Sequence, residues 1–281
     1  FAFGNKVGDT VTGAGFLAAR GVQDFAGGTA VHINAGAAAL ALAIVLGKRH
    51  GWRRDPMRPH SLPLVMLGAG LLWFGWFGFN AGSSLAANGI AGLALINTQV
   101  ATGGAILGWL LVERLRNGHP TSLGAASGAV AGLVAITPAC AFVDPWAAVV
   151  IGFVAGILCS LAVGLKYVFN IDDSLDVVGV HLVGGIWGSL SVGIFGSAAV
   201  NSIGLDGVLY GGGTTLLMKQ LLGVGLVFAY SFIATLIIGF AIEKTMGFRI
   251  KRENELEGID LVEHAESAYE FAGTTPGGSS L

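Results

Sequence analysis

Asp24-Phe25-Ala26-Gly27-Gly28-Thr29-Ala30-Val31-His32-Ile33-Asn34 opens a long apolar run that continues to Leu46. A carboxylate stands at its mouth and an imidazole lies inside it. An ionisable group within a membrane span is costly to hold there, so it marks a functional site by default. The chain repeats the arrangement in Asp176-Val177-Val178-Gly179-Val180-His181-Leu182-Val183-Gly184-Gly185. Val31-His32 and Val180-His181 read as equivalent positions of a repeated unit. The rest of the chain reads as the wall that holds these two histidines.

Composition sets the solvent. Of 281 residues, 53% are hydrophobic and 11% charged, and the mean hydropathy is +0.73. Soluble domains carry about a quarter charged residues. The 46 glycines weaken helices in water but are common where transmembrane helices pack closely. The fold class is therefore all-α integral membrane. A net charge of −2 with no basic-aromatic patch excludes a nucleic-acid partner. Cys140 and Cys159 both fall in apolar runs, which argues against a disulfide framework or a zinc site. No catalytic residue, metal or cofactor is expected. Phe1 stands where a methionine would start a chain and no signal-peptide pattern follows, so the chain reads as a fragment or processed form.

Residues 1–23 form a mixed segment, too short and glycine-rich to span, and read as irregular and external. Residues 24–243 form the membrane domain and 244–281 a charged tail. Seven spans are expected, near 25–46, 62–83, 94–112, 123–143 (broken at Thr137-Pro138), 146–168, 177–200 and 221–242. Basic residues concentrate in 48–58, 113–117 and 244–252. The positive-inside rule puts these, and the C-terminus, on the cytoplasmic side. Asp24 then lies at the external mouth and Asp176 at the cytoplasmic one. Seams at Gly124/Gly128/Gly132, Gly152/Gly156 and Gly184/Gly188 let helices dock closely.

His32 lies eight residues past Asp24, about 12 Å along a helix, and His181 five past Asp176, about 7.5 Å. This leaves an axial gap between the rings unless the sixth span starts in a depression. Matched Val-His contexts favour a working pair over two separate core histidines. Each neutral imidazole offers one donor and one acceptor nitrogen, so a facing pair shares one proton along a narrow path. Asp24 reads as an N-cap, a functional carboxylate, or both. Asp172 and Asp173 read as solvated loop or capping residues. Trp76-Phe77-Gly78-Phe79-Asn80-Ala81-Gly82-Ser83 is either core packing or an aromatic cation site with a nearby hydroxyl.

At these residues a family resemblance emerges. Asp24-Phe25-Ala26-Gly27-Gly28-Thr29 with His32-Ile33-Asn34 resembles the signature of the ammonium transporter family (Amt/Mep/Rh). So do 75–83, Ile136-Thr137-Pro138-Ala139-Cys140, Asp172-Asp173 with Asp176 and His181, and the tail Glu257-Gly258-Ile259-Asp260 with His264, Glu266 and Tyr269. The resemblance implies seven spans of an eleven-helix fold built from inverted halves, with about four spans ahead of Asp24 and a homotrimer with one pore per subunit. His32 and His181 match its twin pore histidines, Phe79 the inner gate ring, Ser83 the hydroxyl of the external ammonium site, and Asp24 the aspartate beneath it. Ammonium would move as separated ammonia and proton across the inner or plasma membrane. Gly258, Asp260 and Tyr269 match a regulatory tail that packs under the trimer; a solvated tail is the plainer reading. A PII-type signalling protein is the implied cytoplasmic partner. An ammonium sensor on the same fold and an inactive truncated fragment are near alternatives; a b-type membrane cytochrome, with haem on the two histidines, is a distant one.

Overall fold

The structure, a computed structural model, describes residues 5–7, 10–12, 15–55 and 57–267. A hairpin pairs β1 (Asn5–Val7) with β2 (Thr10–Thr12). A 3₁₀ turn spans Ala18–Arg20. The regular elements after it, among the described residues, are all helical. The membrane part comprises α1 (Asn34–Leu46), α2 (Leu62–Gly82), α3 (Gly89–Asn117), α4 (Ser122–Ile136), α5 (Pro145–Ala162), α6 (Leu165–Phe169), α7 (Val183–Phe195) and α8 (Thr215–Thr245). Two short helices close the tail, α9 (Arg252–Glu257) and α10 (Ile259–His264). Five-residue π-turns, Thr29–Ile33 and Val178–Leu182, lead into α1 and α7.

Six helical stretches among the described residues are long and apolar enough to cross a bilayer: Thr29–Leu46, Leu62–Gly82, Gly89–Asn117, Pro145–Phe169, Val178–Phe195 and Thr215–Thr245. The seventh expected span is shorter as a helix. α4 stops at Ile136 because Pro138 has no N–H to donate and clashes with the preceding turn. Residues 137–143 continue as buried turns. Backbone groups freed inside a membrane protein need partners, and here they have them. Phe25 N donates to Pro138 O at 3.0 Å. Asn97 Nδ2 donates to Cys140 O at 2.8 Å and Val143 O at 2.7 Å, and Asn201 Nδ2 to Ala141 O at 3.1 Å.

The core forms where small residues let backbones meet. Added Cβ atoms at Gly152 and Gly156 of α5 would collide with the carbonyls of Ala101 and Ala105 on α3. Ala101, with Ile151 and Ala155, belongs to the central cluster. α2 touches it through Ala81. Leu67, Leu71 and Phe74 on its surface are exposed, whereas Trp76 and Asn80 turn inward. Polar links tie the loops at each end. Arg49 pairs with Asp172 at 3.1 Å, so the loop before His181 lies with the basic loop after α1. At the opposite end Gln23 meets residues 203–205.

Candidate functional site

The site begins with two matched local structures. Asp24 Oδ1 and Oδ2 accept from Thr29 N at 3.0 Å and Ala30 N at 3.1 Å. Asp173 Oδ1 and Oδ2 accept from Val177 N at 3.0 Å and Val178 N at 2.7 Å. Each carboxylate thereby satisfies orphan N–H groups at the start of a helical element. Asp24 does cap, but across a wider loop than an ordinary N-cap. The counterpart of Asp24 is Asp173, not Asp176. Asp173 is buried and stands eight residues before His181, as Asp24 stands eight before His32. Asp176 sits at φ 58° and pairs with Lys166 at 2.6 Å. Nor are Asp172 and Asp173 solvated: one is the partner of Arg49, the other the cap.

Burial raises the Asp24 carboxyl from 3.8 to about 6, against the N–H donors that pull it down. Burial also raises Asp176, partly offset by Lys166.

Each histidine sits in its π-turn, a local widening of the helix that recurs at functional sites. α1 packs along the second π-turn and α7 along the first. The contact is reciprocal. A Cβ at Gly36, four residues past His32, would strike Leu182; one at Gly185, four past His181, would press on His32 and Ile33. Only glycine permits this approach, and it closes the expected axial gap. His181 Nδ1 and His32 Nδ1 lie 3.3 Å apart, with ring centroids at 5.4 Å.

A haem iron between these nitrogens would need metal–nitrogen bonds of about 2 Å on each side, and a macrocycle between the rings. The 3.3 Å separation leaves no room for an iron and its macrocycle between these two nitrogens.

His32 is 4% exposed. Its ring stacks on Trp76 at 5.3 Å and 21°. Trp76 Nε1 donates to Thr137 Oγ1 at 2.9 Å, and Thr137 Oγ1 donates to Leu133 O at 2.6 Å. The helix break at Thr137-Pro138 thus fixes the indole that supports the imidazole. His32 Nε2 is buried without a hydrogen-bond partner among the described residues.

Val31, His32, Leu71, Leu72, Gly75, Trp76 and Phe79 line a groove of about 420 Å³. Phe79 is 41% exposed and meets Trp76 edge-on at 5.8 Å. Ser83 is not in the groove: its hydroxyl turns back to Phe79 O at 2.8 Å. Asp24, bound to the Thr29 and Ala30 N–H groups, does not line the groove either.

In the tail, Gly258 joins α9 to α10 at φ +119° with open space around it. Backbone conformation, rather than crowding, therefore requires glycine there. The Asp260 side chain is exposed, and Tyr269 falls outside the described residues. The tail is held instead by Arg249, which donates to Lys48 O at 3.1 Å, and by Glu255, which accepts from His50 N at 3.0 Å.

Sequence reasoning also missed a polar latch. Gln220 Oε1 accepts from Gln23 N at 2.8 Å, and its Nε2 donates to Gln23 O at 2.7 Å and Ser189 O at 3.0 Å. Thr29 and Ser189 share a hydroxyl–hydroxyl bond nearby. The equal Asp-to-His spacing was a readable signal for Asp173; a lone glutamine in an apolar helix was the only signal for Gln220.

Fold and site define a multi-pass helical membrane protein with a paired-imidazole site between two inverted elements. The profile of the Ammonium Transporter Family matches residues 6–269. The ammonium transporter of Mycobacterium tuberculosis is 58% identical over 254 residues, covering 89% of this chain and 53% of that protein. Ammonium transporter Amt1 of Archaeoglobus fulgidus is 48% identical, covering 92% and 65%. Among solved structures, Candida albicans Mep2 aligns with a TM-score of 0.80 at 38% identity, covering 86% of this chain and 55% of that one. A sensor Amt protein also aligns at 0.80, with 34% identity and coverage of 90% and 62%. This chain belongs to the Ammonium Transporter Family. It spans between about half and two thirds of the length of these relatives.

Proposed function

We propose that this chain forms one wall of an ammonium-conducting pore, with the His32–His181 pair as its selective element. The observation that carries this is the 3.3 Å Nδ1–Nδ1 contact at the edge of an apolar groove. One Nδ1 donates and the other accepts, so the outer nitrogens of the two rings differ: one carries a proton and the other a lone pair. Ammonia, which both donates and accepts, suits such a lining. Ammonium in an apolar groove is heavily penalised, so it gives its proton to water at the mouth before entry, and that proton crosses separately, so that net charge moves with the ammonia.

Family membership supports a homotrimer. The basic loops support a cell-membrane orientation with a cytoplasmic C-terminus, and the tail's place beside them suits a PII-type partner there. A sensor on the same fold would use the same pair to bind rather than conduct, and its support is the likeness to a sensor Amt protein. Proteoliposomes on a supported membrane separate these readings. An ammonium pulse should give a saturable current above that of empty liposomes. Ammonium binding without any such current would overturn conduction.

A further inference from the structure

The loop after α1 and the segment after α8 meet at the basic end of the bundle. Arg249 Nη2 donates to Lys48 O across 201 residues of sequence. Between the two segments lies a recess of about 680 Å³, with Lys48, Arg53, Arg54 and Arg252 on its walls. Two nearby acids are already engaged, Asp172 by Arg49 and Glu255 by Arg249, while the Asp55 carboxylate lies beside Gly51 of the recess. Lys48, Arg53, Arg54 and Arg252 have no ion-pair partner among the described residues.

The loop that carries Lys48, Arg53 and Arg54 is anchored, although these cations and Arg252 are themselves exposed. Trp52 stacks on Tyr167 at 5.5 Å and 11°, and its Nε1 donates to Asn170 Oδ1 at 3.1 Å. Arg53 is held at φ 65°. The positive-inside bias accounts for basic residues on this side. It does not require that the tail fold back against this loop and form an open recess with four cations outside any ion pair.

We infer that this recess binds a phosphate-bearing anion. Guanidinium forks match phosphate oxygens in bidentate, charge-assisted hydrogen bonds. The volume falls in the range of small-molecule sites, about 300–1,000 Å³, so it holds a phosphate together with the group that carries it. An anionic lipid headgroup at the bilayer surface and a soluble phosphate compound present the same chemistry. The inference does not rest on the transport reading, and binding is measured without transport.

The test is calorimetric titration of the purified protein in neutral detergent at fixed ionic strength. One arm uses inorganic pyrophosphate. The other uses short-chain phosphatidylglycerol, with phosphatidylcholine of equal chain length as the zwitterionic control. Saturable binding of pyrophosphate supports a soluble ligand, and saturation by phosphatidylglycerol alone supports a headgroup. Combined Arg53→Gln, Arg54→Gln and Arg252→Gln should weaken binding about tenfold or more. Arg58→Gln, in the same loop but not on the recess wall, should change it less than about twofold. None of the three recess arginines makes a side-chain hydrogen bond among the described residues, so the variant should keep the wild-type melting midpoint. If it unfolds, Lys48→Gln and Arg252→Gln taken singly should each still weaken binding. No saturable binding of either probe overturns the inference, as do recess variants that bind like wild type or an equal loss in Arg58→Gln.

Discussion

Replacing Gln220 by leucine should loosen the mouth of the first π-turn. Gln220 is fully buried in α8. It accepts from Gln23 N and donates to Gln23 O and Ser189 O. Leucine fills similar space but strands the Gln23 N–H and carbonyl, whereas Ser189 O lies within α7 and keeps its helical partner. Each stranded group costs about 1–3 kcal/mol, with the N–H at the upper end. The two are not additive, because the Gln23 peptide lies next to a loop and recovers part of its solvation. A net loss of about 2–4 kcal/mol follows. The damage should also reach function. Gln23 adjoins Asp24, whose carboxylate holds the Thr29 and Ala30 N–H groups just ahead of His32. Denaturation in detergent, followed by tryptophan fluorescence, measures the first effect; ammonium current per folded protein measures the second. A stability loss under about 0.5 kcal/mol with unchanged current would refute the reasoning.

Asp173→Asn should destabilise by about 1–3 kcal/mol, because an amide NH₂ replaces one acceptor facing the Val177 and Val178 N–H groups. Asp176→Asn should cost at most about 1 kcal/mol, since its partly exposed pair with Lys166 is screened; comparison of their melting curves checks the order, and a reversal would make Asp176 rather than Asp173 the counterpart of Asp24. Asp24 has a folded pKa of about 6 against 3.8 for an ordinary aspartate. The folded state therefore holds the proton more tightly, and stability should fall as pH rises through that window, by about 3 kcal/mol in total. Asp24→Asn should flatten this slope, and an unchanged slope would contradict the assignment. Phe79→Ala should alter conduction while costing well under the 3–5 kcal/mol of a buried phenylalanine, because the ring is 41% exposed; a large stability loss with unchanged current per folded protein would make it packing.

The fold was legible because lipid imposes a simple code. Long apolar runs and basic loops located the spans, but their ends were less legible: α4 stops at Ile136 rather than near 143, and α8 starts at Thr215 rather than near 221. The Thr137-Pro138 break predicted freed backbone groups, and Asn97 and Asn201 are the side chains that satisfy them. The two histidines were legible from their matched contexts. Their direct contact was not, since it depends on Gly36 and Gly185 admitting neighbours from the other half of the repeat. Choosing Asp176 over Asp173 followed proximity to the sequence mouth, although the eight-residue spacing to each histidine was there to be read. The clasp of Arg249 and Glu255 joins segments some two hundred residues apart. No local periodicity encodes such a contact. Gly258 was readable as a backbone requirement, and its φ of +119° agrees.

The central claim is that the His32–His181 pair makes the path passable to ammonia and closed to bare cations. Currents on supported membranes, driven in turn by ammonium and by potassium, test it most directly in wild type, His32→Ala and His181→Ala. The account predicts an ammonium current without a potassium current in wild type, and a reduced ammonium-over-potassium ratio in each alanine variant. Wild-type currents and wild-type selectivity in both variants would contradict it.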